Sequence, residues 1–209
     1  MQNAEVISPA TVIFTPGAVR YHAGIAFVSD DGELQAVHLA GHLRVRRLRD
    51  LDGWIAVAAS LDPIELELVA ANCQVLIDAR PEVPYGLSGT KSRFLDGGLY
   101  QPGDDDTGLT CSTFVQKVFE WSLCPLVDES TWVTRVEDLP AQDALVRYLK
   151  DEAASAAHIA AVEADVSGLR IRPEEIGAAV GAPTTPVAFS WAEPNGICLA
   201  VQLDSYLSP

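Results

Sequence analysis

Positive charge is scarce in this chain of 209 residues: 14 Lys and Arg stand against 29 Asp and Glu, a net charge of −15. Phosphate binding needs clustered cations, so the deficit speaks against nucleic acid as a partner. It equally disfavours adsorption to an anionic membrane surface. The one basic cluster, Arg44, Arg46, Arg47 and Arg49, alternates with Val45 and Leu48 and reads as the solvated face of a strand. Long apolar runs are missing too. The longest, Trp54 to Ala59, has strand length and falls far short of the ~18 residues of a membrane span. Met1 to Thr15 carries no basic segment followed by an apolar core, so no secretory signal peptide is expected. The expected location is the cytoplasm, with signal-independent export as the other route. No glycine-rich phosphate loop or dinucleotide fingerprint occurs, which leaves nucleotide chemistry without support.

Cysteine is sparse as well. The four residues Cys73, Cys111, Cys124 and Cys198 form no C-x-x-C pair and fit no zinc spacing. Free thiols are expected, and no metal or other cofactor. Cys73 and Cys198 lie in apolar runs and are expected in the core; Cys124, before Pro125, is expected to pack at a helix end. Asp104-Asp105-Asp106 lacks the alternating ligands and distal Glu of a calcium loop and reads as a solvated loop tip.

What is present suits a globular fold: 48% hydrophobic and 21% charged residues can bury a full core. Thr11 to Thr15, Tyr21 to Ser29, Leu34 to Leu39, Leu43 to Leu48 and Trp54 to Ser60 are short apolar or alternating runs separated by turn residues, the pattern of an antiparallel meander. Asp62-Pro63 opens a helix that ends near Arg80. Pro81 to Gly108 reads as a long irregular segment, a kind of loop that is often functional. A helix follows from Cys111 to about Leu123, a long Ala-rich one from Asp138 to about Ala164, and a short one from Pro173 to near Gly181. Pro186 to Trp191 and Ile197 to Leu203 read as strands of a hairpin around Asn195-Gly196. The order predicts an α+β domain spanning 1–209, with a core over about 11–124 and a C-terminal elaboration of helices and a hairpin over 125–209.

Cys111 stands out by context. Gly108 precedes it, and Phe114, Val115, Val118 and Phe119 then recur at helical spacing. A helix N-terminus offers unpaired N–H groups and the positive end of the macrodipole, both of which favour a thiolate. The alternative is a small buried side chain, the commonest fate of a free cysteine. A base must come from elsewhere. His158 sits mid-helix among alanines and reads as a surface residue. His22 opens one strand and His38 ends the next, and the turn Asp30-Asp31-Gly32-Glu33 makes the two a hairpin. The start of one strand then lies beside the end of the other, so the two rings are expected to be neighbours. Gly24, on the face of His22, leaves room for another group to approach.

"His-Ala-Gly-Ile-Ala-Phe-Val", then "Val-His-Leu-Ala-Gly", then "Leu-Thr-Cys-Ser-Thr-Phe-Val" resembles the circularly permuted branch of the NlpC-type papain-like fold, which includes the lecithin:retinol acyltransferase-like proteins. The resemblance covers Arg20 to Trp121. It implies an antiparallel sheet packed against helices, Cys111 as nucleophile, His22 as base and His38 as the orienting third residue, with His42 as second choice. Pro84-Tyr85-Gly86 is similar to the tyrosine region ahead of the cysteine in unpermuted relatives, which implies that Tyr85 helps polarise the site; Ser112 is a further supporting residue. The segment between the histidines and Cys111 is longer than in the compact acyltransferases, and residues 125–209 match no pattern. The implied activity is that of a thiol hydrolase on a peptide or amide bond through a thioester. The alternatives are an acyltransferase or esterase acting on a lipid or small molecule, and a non-catalytic papain-like binding module. The oligomeric state is not legible.

Overall fold

The computed structural model describes residues 9–17, 20–87, 91–104, 107–165 and 169–207. Most of the N-terminal stretch (1–8) and the expected loop tip at Asp105 and Asp106 lie outside the described residues. The architecture is α+β. Strands β1 (Ala10–Pro16), β2 (Tyr21–Val28), β3 (Leu34–Gly41), β4 (Arg44–Leu48) and β5 (Ile55–Ala56) form one antiparallel sheet in the order β4-β3-β2-β1-β5. The first four strands are the expected meander. β5 is a correction: it is only two residues long and returns to the far edge, beside β1.

Alternation sets the two faces of the sheet. Val12, Phe14, Ala23, Ile25, Phe27, Val37 and Leu39 join the main core, and Ile13, Ala26 and Ala36 form a smaller cluster on the other face with Trp54 packed against it. Against the main face lie α1 (Pro63–Ala79), α2 (Cys111–Trp121) and α5 (Pro173–Val180). α1 begins as its sequence predicts. The Asp62 carboxylate accepts from Ile64 N–H at 2.8 Å, and the Glu65 carboxylate reaches back to Asp62 N–H at 3.2 Å.

The segment 81–108 is less irregular than expected, since β6 (Arg93–Leu95) and β7 (Leu99–Gln101) pair as a hairpin within it. The expected helix 138–164 is two helices, α3 (Leu139–Asp151) and α4 (Ala156–Ala164). Ala153 at φ 55 breaks the run, and the Ser155 hydroxyl caps α4 by accepting from His158 N–H at 3.2 Å.

The expected C-terminal hairpin is absent; one helix, α6 (Phe189–Leu207), runs through it with Pro194 inside. Asn195-Gly196 is a strong turn signal only where no helical face competes. Here Ala192, Gly196, Ala200 and Leu203 are buried along one helical stripe. A Cβ at Gly196 would stand 3.2 Å from the Glu175 backbone, so this glycine lets α6 approach α5 rather than turn the chain. In this helix Cys198 faces outward, exposed, against expectation, while Cys73 and Cys124 are buried as expected. Residues of α5 and α6 share the main core with the sheet, so the C-terminal region is built into the fold. Among the described residues no helix is long and apolar enough to cross a membrane.

Candidate active site

Cys111 is the first residue of α2. Thr110 caps the helix through its hydroxyl, which accepts from Thr113 N–H at 3.2 Å, and Thr110 N–H donates to the Thr113 hydroxyl at 2.8 Å. Gly108, at φ 108, brings the preceding chain against the Pro84 backbone, where a side chain would clash. Leu109 N–H then donates to Pro84 C=O at 2.9 Å and Gly86 N–H to Leu109 C=O at 3.2 Å, a one-residue parallel bridge between Tyr85 and Leu109. A Cβ at Gly86 would overlap the Thr107 carbonyl, so both glycines are needed for this approach.

The His22 and His38 rings meet as the hairpin predicts: His22 Nε2 lies 2.7 Å from His38 Nδ1. The paired register of β2 and β3 ends at Ile25 opposite Val37, and beyond it the ladder opens. The Cys111 sulfur lies at that opening, where the His22 ring and the Ala23 N–H favour its charged form. With Nε2 committed to His38, Nδ1 is the ring atom left for the sulfur. Gly24 is where His38 crosses, since its Cβ would stand 3.1 Å from His38 Cβ. The Trp54 indole closes the pair from the side, edge-on to both rings at centroid distances of 5.8 and 5.6 Å.

The electrostatics follow from this packing. Burial pushes the Cys111 thiol up, but the His22 hydrogen bond and charge, the Ala23 N–H and the Ser112 hydroxyl bring it down, to about 7 from an ordinary 9.0. Burial pushes His22 down, and its bond to and attraction by the thiolate outweigh that, so its pKa is raised. Burial and the charge of His22 together lower His38 to about 4. A neutral His38 can present Nδ1 as an acceptor to the His22 imidazolium. A hydrogen bond to a charged group is worth about 1.5–3 kcal/mol. His38→Leu is therefore expected to raise the pH midpoint of Cys111 alkylation by about one to two pH units. His38→Asn, which keeps an acceptor, is expected to restore it; equal midpoints in all three proteins would remove His38 from the site.

The supporting residues divide. The Ser112 hydroxyl is 3.9 Å from the sulfur. Tyr85 stands beside Cys111 on the same cavity; burial and the Cys111 charge raise its pKa well above the ordinary value. His42 does not join the His22–His38 pair. It sits in the β3–β4 turn and accepts from Tyr85 N–H at 3.3 Å. His158 is not the free surface residue its sequence suggests: it is half-buried, its ring 4.7 Å from that of His42.

A cavity of about 390 Å³ opens onto Cys111, His22 and Tyr85. Its far wall comes from the C-terminal region, with Ala141, Ala144, Leu145 and Tyr148 on α3, then Ile171 and Pro173. Among the described residues its lining holds no carboxylate, and the guanidinium of Arg170 is bonded to Asp138 at 2.8 Å. Trp54, Tyr148 and the 170–173 segment are the parts that sequence reasoning missed. Aromatics and alanines in helices and loops carry no signal of which cavity they will line. No cluster of His, Cys, Asp and Glu suited to a metal occurs among the described residues. Comparison with family models, with curated proteins and with solved structures gives no match, so the chemistry of this site has to be argued from its own residues.

Proposed function

We propose that this protein is a cysteine-dependent hydrolase or acyltransferase of the circularly permuted NlpC-type papain-like kind. The observation that carries the reading is the series Cys111–His22–His38: a cysteine opening a helix shares a cavity with the His22 ring, whose Nε2 lies 2.7 Å from His38 Nδ1. A nucleophile, a base and an orienting group in series are what acyl transfer through a thioester requires.

His22 takes the thiol proton, and the thiolate attacks a carbonyl carbon. The C=O π pair moves onto oxygen. Cys111 N–H, at the start of α2, and the Tyr85 hydroxyl, on the same cavity, are the donors available to that oxyanion. The oxyanion collapses, the bond to the leaving group breaks, and His22 gives that group its proton. Water or another acceptor, deprotonated by His22, then attacks the thioester and restores the thiol. No step calls for a metal.

The cavity favours one kind of acyl group. Leu87, Ala141, Ala144, Leu145, Ile171 and Pro173 supply apolar walls, and none of the described lining residues is a carboxylate that could hold an ammonium. An amide or ester with an uncharged, apolar acyl part fits better than a peptide recognised by its free amine.

Alkylation tests the reading without knowledge of the substrate. In a Cys198→Ser background, which removes the exposed thiol, iodoacetamide is expected to modify Cys111 with a midpoint near pH 7. Cys124, raised to about 12 by burial and the Glu65 charge, and Cys73, raised by burial, are expected to stay unmodified. Slow labelling of Cys111 with a midpoint near 9 would favour a non-catalytic module.

A further inference from the structure

The way Tyr85 is held is unusual. Its flanking residues are bonded to the chain before α2, through Pro84 C=O and Gly86 N–H. In a parallel bridge the N–H and C=O of the central residue point the other way, where a further strand would normally satisfy them. Among the described residues no strand pairs with it there. Tyr85 N–H instead donates to His42 Nδ1 at 3.3 Å, and Tyr85 C=O accepts from His158 Nε2 at 3.0 Å.

The backbone partners decide both tautomers. An N–H can only donate, so His42 Nδ1 is unprotonated; a C=O can only accept, so His158 Nε2 carries its hydrogen. The rings are 4.7 Å apart and come from distant elements, the β3–β4 turn and α4. Each is anchored. Leu43 N–H donates to Val83 C=O at 2.9 Å and His42 N–H to the Tyr148 hydroxyl at 3.2 Å, while His158 N–H donates to the Ser155 hydroxyl at 3.2 Å. The Tyr85 ring in turn packs edge-on against Tyr148, with centroids 5.7 Å apart.

We propose that His42 and His158 are positioning residues that hold the N–H and the C=O of Tyr85 along the edge facing away from α2 and so keep its hydroxyl where the oxyanion develops. The inference rests on the acyl-transfer reading above and adds two residues that do not touch the reacting atoms. It also gives α4 a task, since this helix supplies half of the clamp. The two histidines act only through Tyr85. Their loss should slow acylation and leave thiolate formation, which depends on His22, nearly unchanged.

The test uses the full chain carrying Cys198→Ser, with p-nitrophenyl butyrate as acyl donor and the p-nitrophenolate burst as the measure of acylation. Iodoacetamide alkylation of Cys111 is measured in parallel. His42→Leu and His158→Leu are each expected to slow the burst about 10- to 100-fold, the cost of a misplaced catalytic donor. Their alkylation rates should stay within about threefold of the parent. His42→Asn, whose amide oxygen can accept from Tyr85 N–H, and His158→Gln, whose amide can donate to Tyr85 C=O, should recover most of the burst. In a Tyr85→Phe background neither Leu variant should slow acylation further. A full burst in both Leu variants would overturn the clamp, as would an equal slowing in the Tyr85→Phe background. Should His42→Leu fail to fold, His158→Leu on the outer helix carries the same comparison. A parent that alkylates near pH 9 and gives no Cys111-dependent burst would overturn the acyl-transfer reading itself, and the clamp with it.

Discussion

Cys111→Ala is expected to lose at least about 10³-fold of ester turnover and to keep its fold, because no other group at the site can form the thioester. The substitution removes one sulfur from a helix N-terminus whose cap belongs to Thr110 and Thr113. Alanine is a good helix former, so the stability change should be small, about 1 kcal/mol. Turnover surviving at the parent rate would end the reading. The same variant has a signature that needs no substrate. Both upward contributions to the His22 pKa come from Cys111, and burial alone opposes them. Without the thiolate, His22 should titrate below its ordinary 6.5 instead of above it, as followed by NMR of the ring protons. The sign for stability then follows. With the folded pKa below the unfolded one, the unfolded chain binds the proton more tightly, and the variant loses stability as pH falls below about 6.5.

The second large effect concerns the cavity wall. Arg135 is buried and bonds Glu175, Asp138 at 2.8 Å and Arg170 C=O at 2.7 Å. Asp138 also holds Arg170 and Arg172. This cluster ties the start of α3 and the 170–172 segment to α5, and both α3 and that segment line the cavity. Arg135→Met leaves the Glu175 carboxylate, 1% exposed, without its main counter-charge. Breaking one side of a buried pair costs about 3–5 kcal/mol, a large part of a typical domain's 5–15 kcal/mol. Urea unfolding should show that loss, and Arg135→Met with Glu175→Met should recover much of it, because no unpaired charge is then buried. A loss below about 1 kcal/mol in the single variant would mean that water reaches Glu175.

Legibility differed from element to element. The His22–His38 contact was readable because a short turn sets the register of a hairpin, and register decides which side chains meet. The α1 cap and the start of α2 were readable because caps act over three or four residues. The C-terminal hairpin was misread because Asn195-Gly196 is a turn signal in isolation, and its burial against α5 outweighs that preference. His158 was misread for a similar reason. Its partner Tyr85 is 73 residues away, and nothing around it in the chain records that partner.

By itself the sequence determined that the chain is α+β, that a cysteine opens a helix, and that two histidines face each other across a hairpin. All three depend on interactions between residues close in the chain, where periodicity, capping and turn chemistry act. Only the tertiary structure decided that the sulfur enters the open end of the β2–β3 ladder. It also decided that Tyr85, its backbone bonded to His42 and His158, lines the cavity of Cys111, and that α3 and the 170–173 segment wall that cavity. These contacts join distant segments, and they exist only because the sheet, the glycine-lined bridge at Gly86 and Gly108, and the Arg135 cluster bring those segments to one place.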